Sequence, residues 1–201
     1  MPLVKQRLVR KISQQHQSQS TASPLLKRSA TYSLIALICG AYLLQMVVPS
    51  IEMRLVLPNI DYLMATNEWY RLLTVSLVHA GLLHLGFNMY ALMVLGNPLE
   101  AAFGKNKMLF IFFFSLLIGS LTSSFFASPT SYSVGASGAV FGLFGAIAIV
   151  GKRIGTDTRS IYVIIGINFV IGFALGGVDW KAHLGGLVGG VIAAQFTLNK
   201  R

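Results

Sequence analysis

The chain has 201 residues, of which 54% are hydrophobic and 11% are charged, and its formal net charge is +10. The charged fraction is less than half of the roughly 25% that is typical of soluble domains, and one core cannot bury so many apolar residues, so the composition predicts a protein solvated mostly by lipid. The basic residues cluster in segment 1–30 and beside apolar stretches, which argues against a nucleic-acid-binding surface. Cys39 is the single cysteine, which excludes a disulfide framework and a cysteine-based metal site.

The first element, segment 1–30, is rich in Gln, Ser, Lys and Arg and contains no acidic residue. It has no apolar core followed by a small-residue cleavage site, so it does not match a signal peptide. The composition favours a disordered cytosolic tail. A weak organellar targeting peptide is the alternative that a basic, acid-free segment leaves open.

The rest of the chain, 31–199, predicts an all-α polytopic membrane protein, a bundle of six transmembrane helices. Each apolar stretch approaches the roughly 20 residues that a helix needs to cross the hydrocarbon core. The predicted spans are 31–49, 82–99, 108–127, 136–151, 160–176 and 180–198. Between the first two, loop 50–81 mixes Pro58, Trp69 and Tyr70 with scattered apolar residues, which favours a folded loop at the membrane interface with Trp69 as an anchor.

The distribution of Lys and Arg orients these spans. With the N-terminus in the cytosol, 13 of the 16 basic residues lie inside: six in the tail, two between spans two and three, three between spans four and five, and two at the C-terminus. The reverse orientation inverts this asymmetry and contradicts the positive-inside rule. We therefore expect cytoplasmic N- and C-termini and an external loop 50–81.

Three spans that run in the same direction begin with polar residues. His84 and Asn88 stand four apart near the start of span two, Ser137 opens span four, and His183 lies in the first turn of span six. Such residues are costly inside a membrane and usually functional. Chance would scatter them through all depths, so their alignment predicts a catalytic site near the outer face.

The chemistry of these residues suits peptide-bond hydrolysis. Ser137 needs a base within hydrogen-bond reach, and His183 can accept its proton and later deliver it to a leaving amine. The turn 135–138 at a helix start offers free N–H groups and the positive end of a helix dipole to a developing oxyanion. His84 and Asn88 can add side-chain donors.

Glycine stripes run along spans four and six. Their members are Gly138, Gly142, Gly145, Gly186 and Gly190. Small residues at this spacing let membrane helices approach closely, and ordinary packing explains them without any catalytic role. Beside Ser137 and His183, the same close approach would bring the base to the nucleophile.

Taken together, these residues resemble the rhomboid family of intramembrane serine proteases, in its minimal six-span bacterial-type form. The matching motifs are Glu68-Trp69-x-Arg71, His79-x4-His84-x3-Asn88, Gly135-x-Ser137-Gly138 and Ala182-His183-x2-Gly186-x3-Gly190. The resemblance implies that Ser137 is the nucleophile and His183 the general base of a dyad. It implies an oxyanion hole formed by His84, Asn88 and the backbone of Ser137.

The resemblance also implies the partners and the location of the protein. Family members cleave transmembrane protein substrates within the lipid bilayer, near the outer membrane face, and they need no metal or other cofactor. We therefore expect a multi-pass protein of a bacterial plasma membrane.

Three residues near this site have more than one interpretation. The family places an aromatic residue on the base at the position of Phe141, but lipid or core packing also suits it. His79 lies on another helical face or in the loop, where it either organises water or is simply solvated. Asp179 precedes His183 by four residues and invites a triad, but Asp before a helix is a favoured N-cap, so we predict a cap and a two-residue catalytic machine.

Other functions fit the chain less well. The sequence contains no His-Glu-x-x-His helix, which excludes a zinc protease of that type. A transporter is a rival because broken, glycine-rich helices also form translocation paths, but neither inverted repeats nor acids within the spans support it. A non-catalytic relative would usually lack the serine or the histidine, and both are present.

Overall fold

The computed structural model describes residues 29–156, 158–175 and 178–199. Over these residues it forms helices and no strand, so the predicted all-α class is confirmed. The helices are α1 (Ala30–Val47), α2 (Ser50–Leu55), α3 (Ile60–Thr66), α4 (Arg71–Thr74), α5 (Leu82–Phe103), α6 (Lys105–Phe126), α7 (Ser137–Val150), α8 (Thr158–Leu175) and α9 (Trp180–Asn199), with 3-10 turns at Val75–Leu77 and Gly151–Ile154. The predicted tail lies outside the described residues except for its last two.

Each of the six predicted spans coincides with one long helix, but fewer of them qualify as spans on their own. Among the described residues, α1, α6 and Ser137–Ile154 are long and apolar enough to cross a membrane. A fourth candidate joins Arg71–Leu77 to α5 across a 102° bend. Helix α8 contributes only a shorter apolar stretch, Thr158–Val170. The structure therefore supports three or four candidate spans by length and composition.

Residues 50–81 fold into short helices around a buried arginine. Arg71 is 6% exposed, and its Nη1 donates hydrogen bonds to the carbonyls of Met53 and Val56 at 2.8 and 2.9 Å. Its Nε pairs with the Glu68 carboxylate at 2.6 Å. Because these bonds tie the start of the segment to its end, the segment is folded, as its composition predicted.

A second acidic side chain joins α1 to the far end of α5. The Glu100 carboxylate accepts hydrogen bonds from the backbone N–H groups of Ala30 and Thr31 at 2.8 and 2.9 Å. The hydroxyls of Ser29 and Thr31 donate to it as well, at 2.9 and 2.7 Å. Glu100 therefore caps the N-terminus of α1 from another helix, which satisfies N–H groups that a helix start leaves unpaired. We call α1, segment 50–81 and α5 the polar-anchored half.

Helices α6, α7 and α9 instead pack through glycine. A Cβ on Gly186 would collide with the backbone carbonyl of Gly138, and a Cβ on Gly190 would collide with that of Gly142. On the α6 side, a Cβ on Gly119 would lie 2.8 Å from the Ala182 carbonyl oxygen. The backbones are thus closer than any side chain allows, as in membrane helix pairs that associate through small residues. We call these three helices the glycine-packed half.

Candidate active site

Ser137 is the first residue of α7 and follows a sharp turn. Gly135 has φ +112°, a conformation that L side chains rarely adopt, and its N–H donates to the Val75 carbonyl at 3.0 Å. The hydrogen-bond ladder of α7 begins with the Val140 N–H, which donates to the Ala136 carbonyl at 3.0 Å. The N–H groups of the first turn of α7 therefore precede the intrahelical ladder, at the positive end of the helix dipole.

His183 meets Ser137 across the glycine contact between α7 and α9. Its Nε2 lies 2.9 Å from the Ser137 Oγ, within hydrogen-bond distance, and the histidine is 6% exposed. The two residues are 46 positions apart in the chain but both lie in the first turn of their helices. The backbone approach at Gly138 and Gly186 is what allows side chains as short as serine and histidine to reach each other.

An aromatic ring covers the imidazole of His183. The ring of Phe141, one turn after Ser137, stacks on it with centroids 4.0 Å apart and planes inclined by 9°. Phe144 and Phe169 contact Phe141 edge-on at 5.8 and 5.6 Å. Phe141 therefore packs on the histidine itself and is held from behind by two further rings.

The carboxylate of Asp179 caps α9 but makes no hydrogen bond to the imidazole of His183. Its Oδ1 accepts the Ala182 N–H at 3.0 Å, which is the predicted N-cap. Its Oδ2 accepts the hydroxyls of Ser123 and, at 2.6 Å, Ser133. Among the described residues, Nδ1 of His183 has no hydrogen-bond partner. The carboxylate is therefore placed as a brace between α6, the loop before α7 and α9.

His84 reaches the turn that precedes Ser137. A Cβ on Gly135 would lie 2.7 Å from Cε1 and 3.0 Å from Nε2 of His84, so only glycine leaves room for this ring. The Ala80 N–H points at Nδ1 of His84 at 3.4 Å. Because Nδ1 accepts a hydrogen bond, a neutral His84 carries its proton on Nε2, the edge that faces the turn.

Asn88 lies one helical turn below His84 and is 6% exposed. Its Nδ2 donates to the His84 carbonyl at 2.9 Å, a bond within α5 itself. The structure thus brings Ser137, His183, Phe141 and His84 together around one turn. The side-chain amide of Asn88 is hydrogen-bonded to the backbone of its own helix.

His79 is buried, in contrast to the solvated loop histidine that the sequence left open. It lies in the loop between the 3-10 turn and α5 and is 1% exposed. Its Nε2 accepts the Ala136 N–H at 3.4 Å, and its ring centroid lies 5.1 Å from that of His84. The side chain of Gln45, from α1, bonds the backbone of His79 on both sides.

The sequence motifs did not identify Gln45, although its position in the chain is unusual. It is a polar residue inside the predicted first span, and such residues are rare and usually functional. In the part of the chain that the structure describes, no comparable set of residues indicates a metal site. The described residues contain no group of three or more His, Cys, Asp or Glu side chains that could hold a metal ion.

Comparison with known proteins identifies the family of the chain. The Rhomboid domain family matches residues 66–200, about two thirds of the chain. The chain therefore belongs to the rhomboid family, and the resemblance carried by its motifs is confirmed.

Similar curated proteins include members from a bacterium and a plant. Over 140 residues the chain is 42% identical to the rhomboid protease GluP of Bacillus subtilis, and over 143 residues it is 33% identical to the putative rhomboid protease YdcA of the same organism. Over 131 residues it is 40% identical to the mitochondrial RHOMBOID-like protein 6 of Arabidopsis thaliana. These matches cover 66%, 68% and 62% of the chain, and they span 27%, 71% and 42% of the respective relatives.

Proposed function

We propose that this protein is an intramembrane serine endopeptidase that cleaves transmembrane protein substrates by a dyad of Ser137 and His183. The observation that carries the proposal is the 2.9 Å approach of His183 Nε2 to Ser137 Oγ between two helix starts. Serine is a weak nucleophile until a base lies within this distance. Family membership supports the same conclusion, since one relative is the rhomboid protease GluP.

The reaction follows from the two side chains. Nε2 of His183 takes the hydroxyl proton as Oγ attacks the scissile carbonyl carbon, and a tetrahedral oxyanion forms. The imidazolium then gives that proton to the leaving amine nitrogen, the C–N bond breaks, and an ester to Ser137 remains. Water repeats the sequence, with His183 again as base, and releases the acid and the free serine.

The oxyanion is stabilised by donors around the turn. The N–H groups that start α7 point away from the helix, and the proton of a neutral His84 lies on the edge that faces Gly135. Asn88 would join them with the second proton of its Nδ2, since the bond to the His84 carbonyl uses only one of the two. Each such donor typically contributes about 10²–10³ to the rate in acyl-transfer enzymes.

The stacked phenylalanine supports a dyad in preference to a triad. Orientation of the imidazole is the role that a carboxylate serves in triads. Here Phe141 stacks on the ring of His183, and Asp179 is occupied by two serine hydroxyls and a helix cap. The proposed dyad therefore has its base oriented by packing.

The proposed membrane arrangement keeps six spans, with α5 and α9 among them. Their polar and glycine-rich faces lie inside the bundle, so neighbouring helices rather than hydropathy alone would hold them in the bilayer. The asymmetry of Lys and Arg supports cytoplasmic termini in a bacterial plasma membrane and a reaction near the outer face. A reporter at residue 5 and one at residue 201 should both be cytoplasmic, and one at residue 58 should be external. Termini on opposite faces would contradict the six-span arrangement.

A serine-directed activity probe tests the proposed chemistry. Ser137→Ala and His183→Ala should each abolish cleavage of a single-span substrate and labelling by the probe, because the first removes the nucleophile and the second leaves the serine without a base. Asp179→Asn is the matched control. It should retain most of the activity, since the amide oxygen can still accept the cap bond. Substantial proteolysis by either alanine variant would contradict the dyad, and a loss for Asp179→Asn as deep as that for His183→Ala would favour a triad.

A further inference from the structure

The carboxamide of Gln45 pairs with the backbone of one residue near the site. Its Oε1 accepts the His79 N–H at 3.1 Å, and its Nε2 donates to the His79 carbonyl at 3.0 Å. The second proton of Nε2 goes to the Glu52 carboxylate at 3.0 Å. Because two acceptors face the nitrogen and one donor faces the oxygen, the amide has a single orientation. Gln45 is 8% exposed, so these bonds are shielded from water.

The segment that Gln45 holds is in turn bonded to the turn before Ser137. The Ala136 N–H donates to Nε2 of His79 at 3.4 Å, and the Gly135 N–H donates to the Val75 carbonyl at 3.0 Å. Two consecutive N–H groups of the turn are therefore fixed by residues 75–79. The peptide plane that contains the Ala136 N–H ends at the Ala136 Cα, one residue before the serine.

The orientation of these peptide planes affects where the Ser137 Oγ lies. Each peptide is planar, so fixing the Ala136 N–H also fixes the carbonyl before it and restricts the backbone that leads into Ser137. The Oγ of Ser137 and the N–H groups of the first turn share this frame. A shift of about 1 Å in a reacting group can cost about 10²-fold in rate.

We propose that Gln45 is a positioning residue, which acts through His79 to hold the Ala136–Ser137 turn in its reactive orientation. The inference rests on the proposed function of Ser137. It differs from a purely architectural role, in which Gln45 only fastens α1 to loop 50–81. An architectural residue alters the fraction of folded protein, whereas a positioning residue lowers the turnover of the molecules that are folded.

The variant Gln45→Met removes all three hydrogen bonds and keeps a side chain of similar length. We expect kcat for a single-span substrate to fall on the order of tenfold, with KM changed less than about twofold, and the labelling of Ser137 by the activity probe to slow by a similar factor. His79→Phe, which keeps a ring but loses the acceptor, should have an effect of similar size. In His79→Gln an amide oxygen can accept the Ala136 N–H, so this variant should recover part of the rate.

The double variant Gln45→Met with His79→Phe distinguishes a chain of contacts from two separate effects. If Gln45 acts through the His79 ring, the double variant loses no more than the larger single loss. Losses that multiply would overturn the inference. Should Gln45→Met not fold, Gln45→Glu combined with Glu52→Gln avoids two adjacent carboxylates, keeps the bond from the His79 N–H, loses the bond to its carbonyl, and carries the same prediction for kcat.

The matched control is Asn97→Leu. Asn97 Nδ2 donates to the Tyr32 hydroxyl at 3.3 Å, so it also joins α5 to α1 by a polar bond. Tyr32 lies 13 residues before Gln45, about 20 Å along the helix. The control should lower the unfolding temperature and leave kcat unchanged. Equal kcat losses in Asn97→Leu and Gln45→Met, or an unchanged kcat in Gln45→Met, would overturn the inference. A wild-type protein that neither cleaves nor takes up the probe would instead refute the proposed function.

Discussion

The two halves of the molecule are held together by different interactions. In the glycine-packed half, helix backbones touch directly at Gly138 and Gly186. In the polar-anchored half, single side chains such as Glu100 and Arg71 bond several backbone groups of a neighbouring element. Lipid provides little hydrophobic drive for helix association, so close packing and hydrogen bonds are the two means that remain.

This difference predicts how each half responds to change. A backbone contact has no flexible atom that can move aside, so it tolerates no added side chain. A hydrogen-bonded cluster loses its bonds one at a time. Ser137 and His183 lie in the glycine-packed half, and the turn before Ser137 is held by the polar-anchored half. The proposed site therefore depends on both.

The largest effect is expected from Gly186→Val. The new Cβ would collide with the Gly138 carbonyl, so α7 and α9 must separate and Ser137 must lose His183. Cleavage and probe labelling should disappear, and the destabilisation should exceed the about 1–3 kcal/mol of ordinary overpacking. Thermal unfolding and labelling in detergent measure the two effects.

Gly166→Ala in α8 is the control for that prediction, because a Cβ there meets nothing within 4 Å. It should keep full activity and gain up to about 1 kcal/mol, the advantage of alanine over glycine in a helix. Wild-type activity in Gly186→Val would show that the backbone contact is not what brings the two residues together.

A smaller loss, confined to turnover, is expected from His84→Ala and Asn88→Ala. These residues belong to α5, in the polar-anchored half. The proposal nevertheless has them donate hydrogen bonds to the oxyanion that forms at Ser137, on α7. Each should lower turnover by about 10²–10³, roughly 3–4 kcal/mol, with a smaller effect on substrate affinity. The double variant should lose less than the product of the two, since both donors serve one oxygen. Near-normal turnover in both single variants would make them packing residues.

The smallest effect on activity is expected from Glu100→Gln. The amide would turn an NH₂ group toward donors that now face a carboxylate, which costs about 1–3 kcal/mol of folding free energy. Glu100 lies 16 residues from His84, about 24 Å along α5, so kcat should not change. The exposed Asp61, changed to Asn, removes the same charge from the first turn of α3 and should lower the unfolding temperature less than Glu100→Gln does. A fall in kcat for Glu100→Gln would show that the far end of α5 is coupled to the site.

The sequence predicted the long helices well and their ends less well. Spans two and three were separated by residues 100–107, but only Gly104 with φ +82° interrupts the helix there. Hydropathy detects the part of a helix that lies in hydrocarbon, whereas helices α5 and α6 continue through Glu100 and Lys105 into polar surroundings. A single glycine is sufficient to join them because it adopts a positive φ without strain.

The candidate site was predictable where one helix start or one motif determines the contact. The Asp179 cap follows from a local rule, and the motifs placed Ser137 and His183 at the starts of neighbouring helices. The burial of His79 could not be predicted, because its hydrogen-bond partners Gln45 and Ala136 lie 34 and 57 residues away in the chain. The bond from Ser133 to Asp179 joins residues 46 positions apart and was invisible for the same reason.

The ring that covers His183 has a consequence for the charge that the site must carry. A carboxylate placed on Nδ1 would add a buried anion, whose transfer from water costs several kcal/mol even when it is paired. Phe141 holds the imidazole plane with a 4.0 Å stack and adds no charge. The face of a phenyl ring is also negative, so in the proposed reaction it would attract the imidazolium more than the neutral base. Such a stack would favour the charged intermediate without a second ionised group on the base.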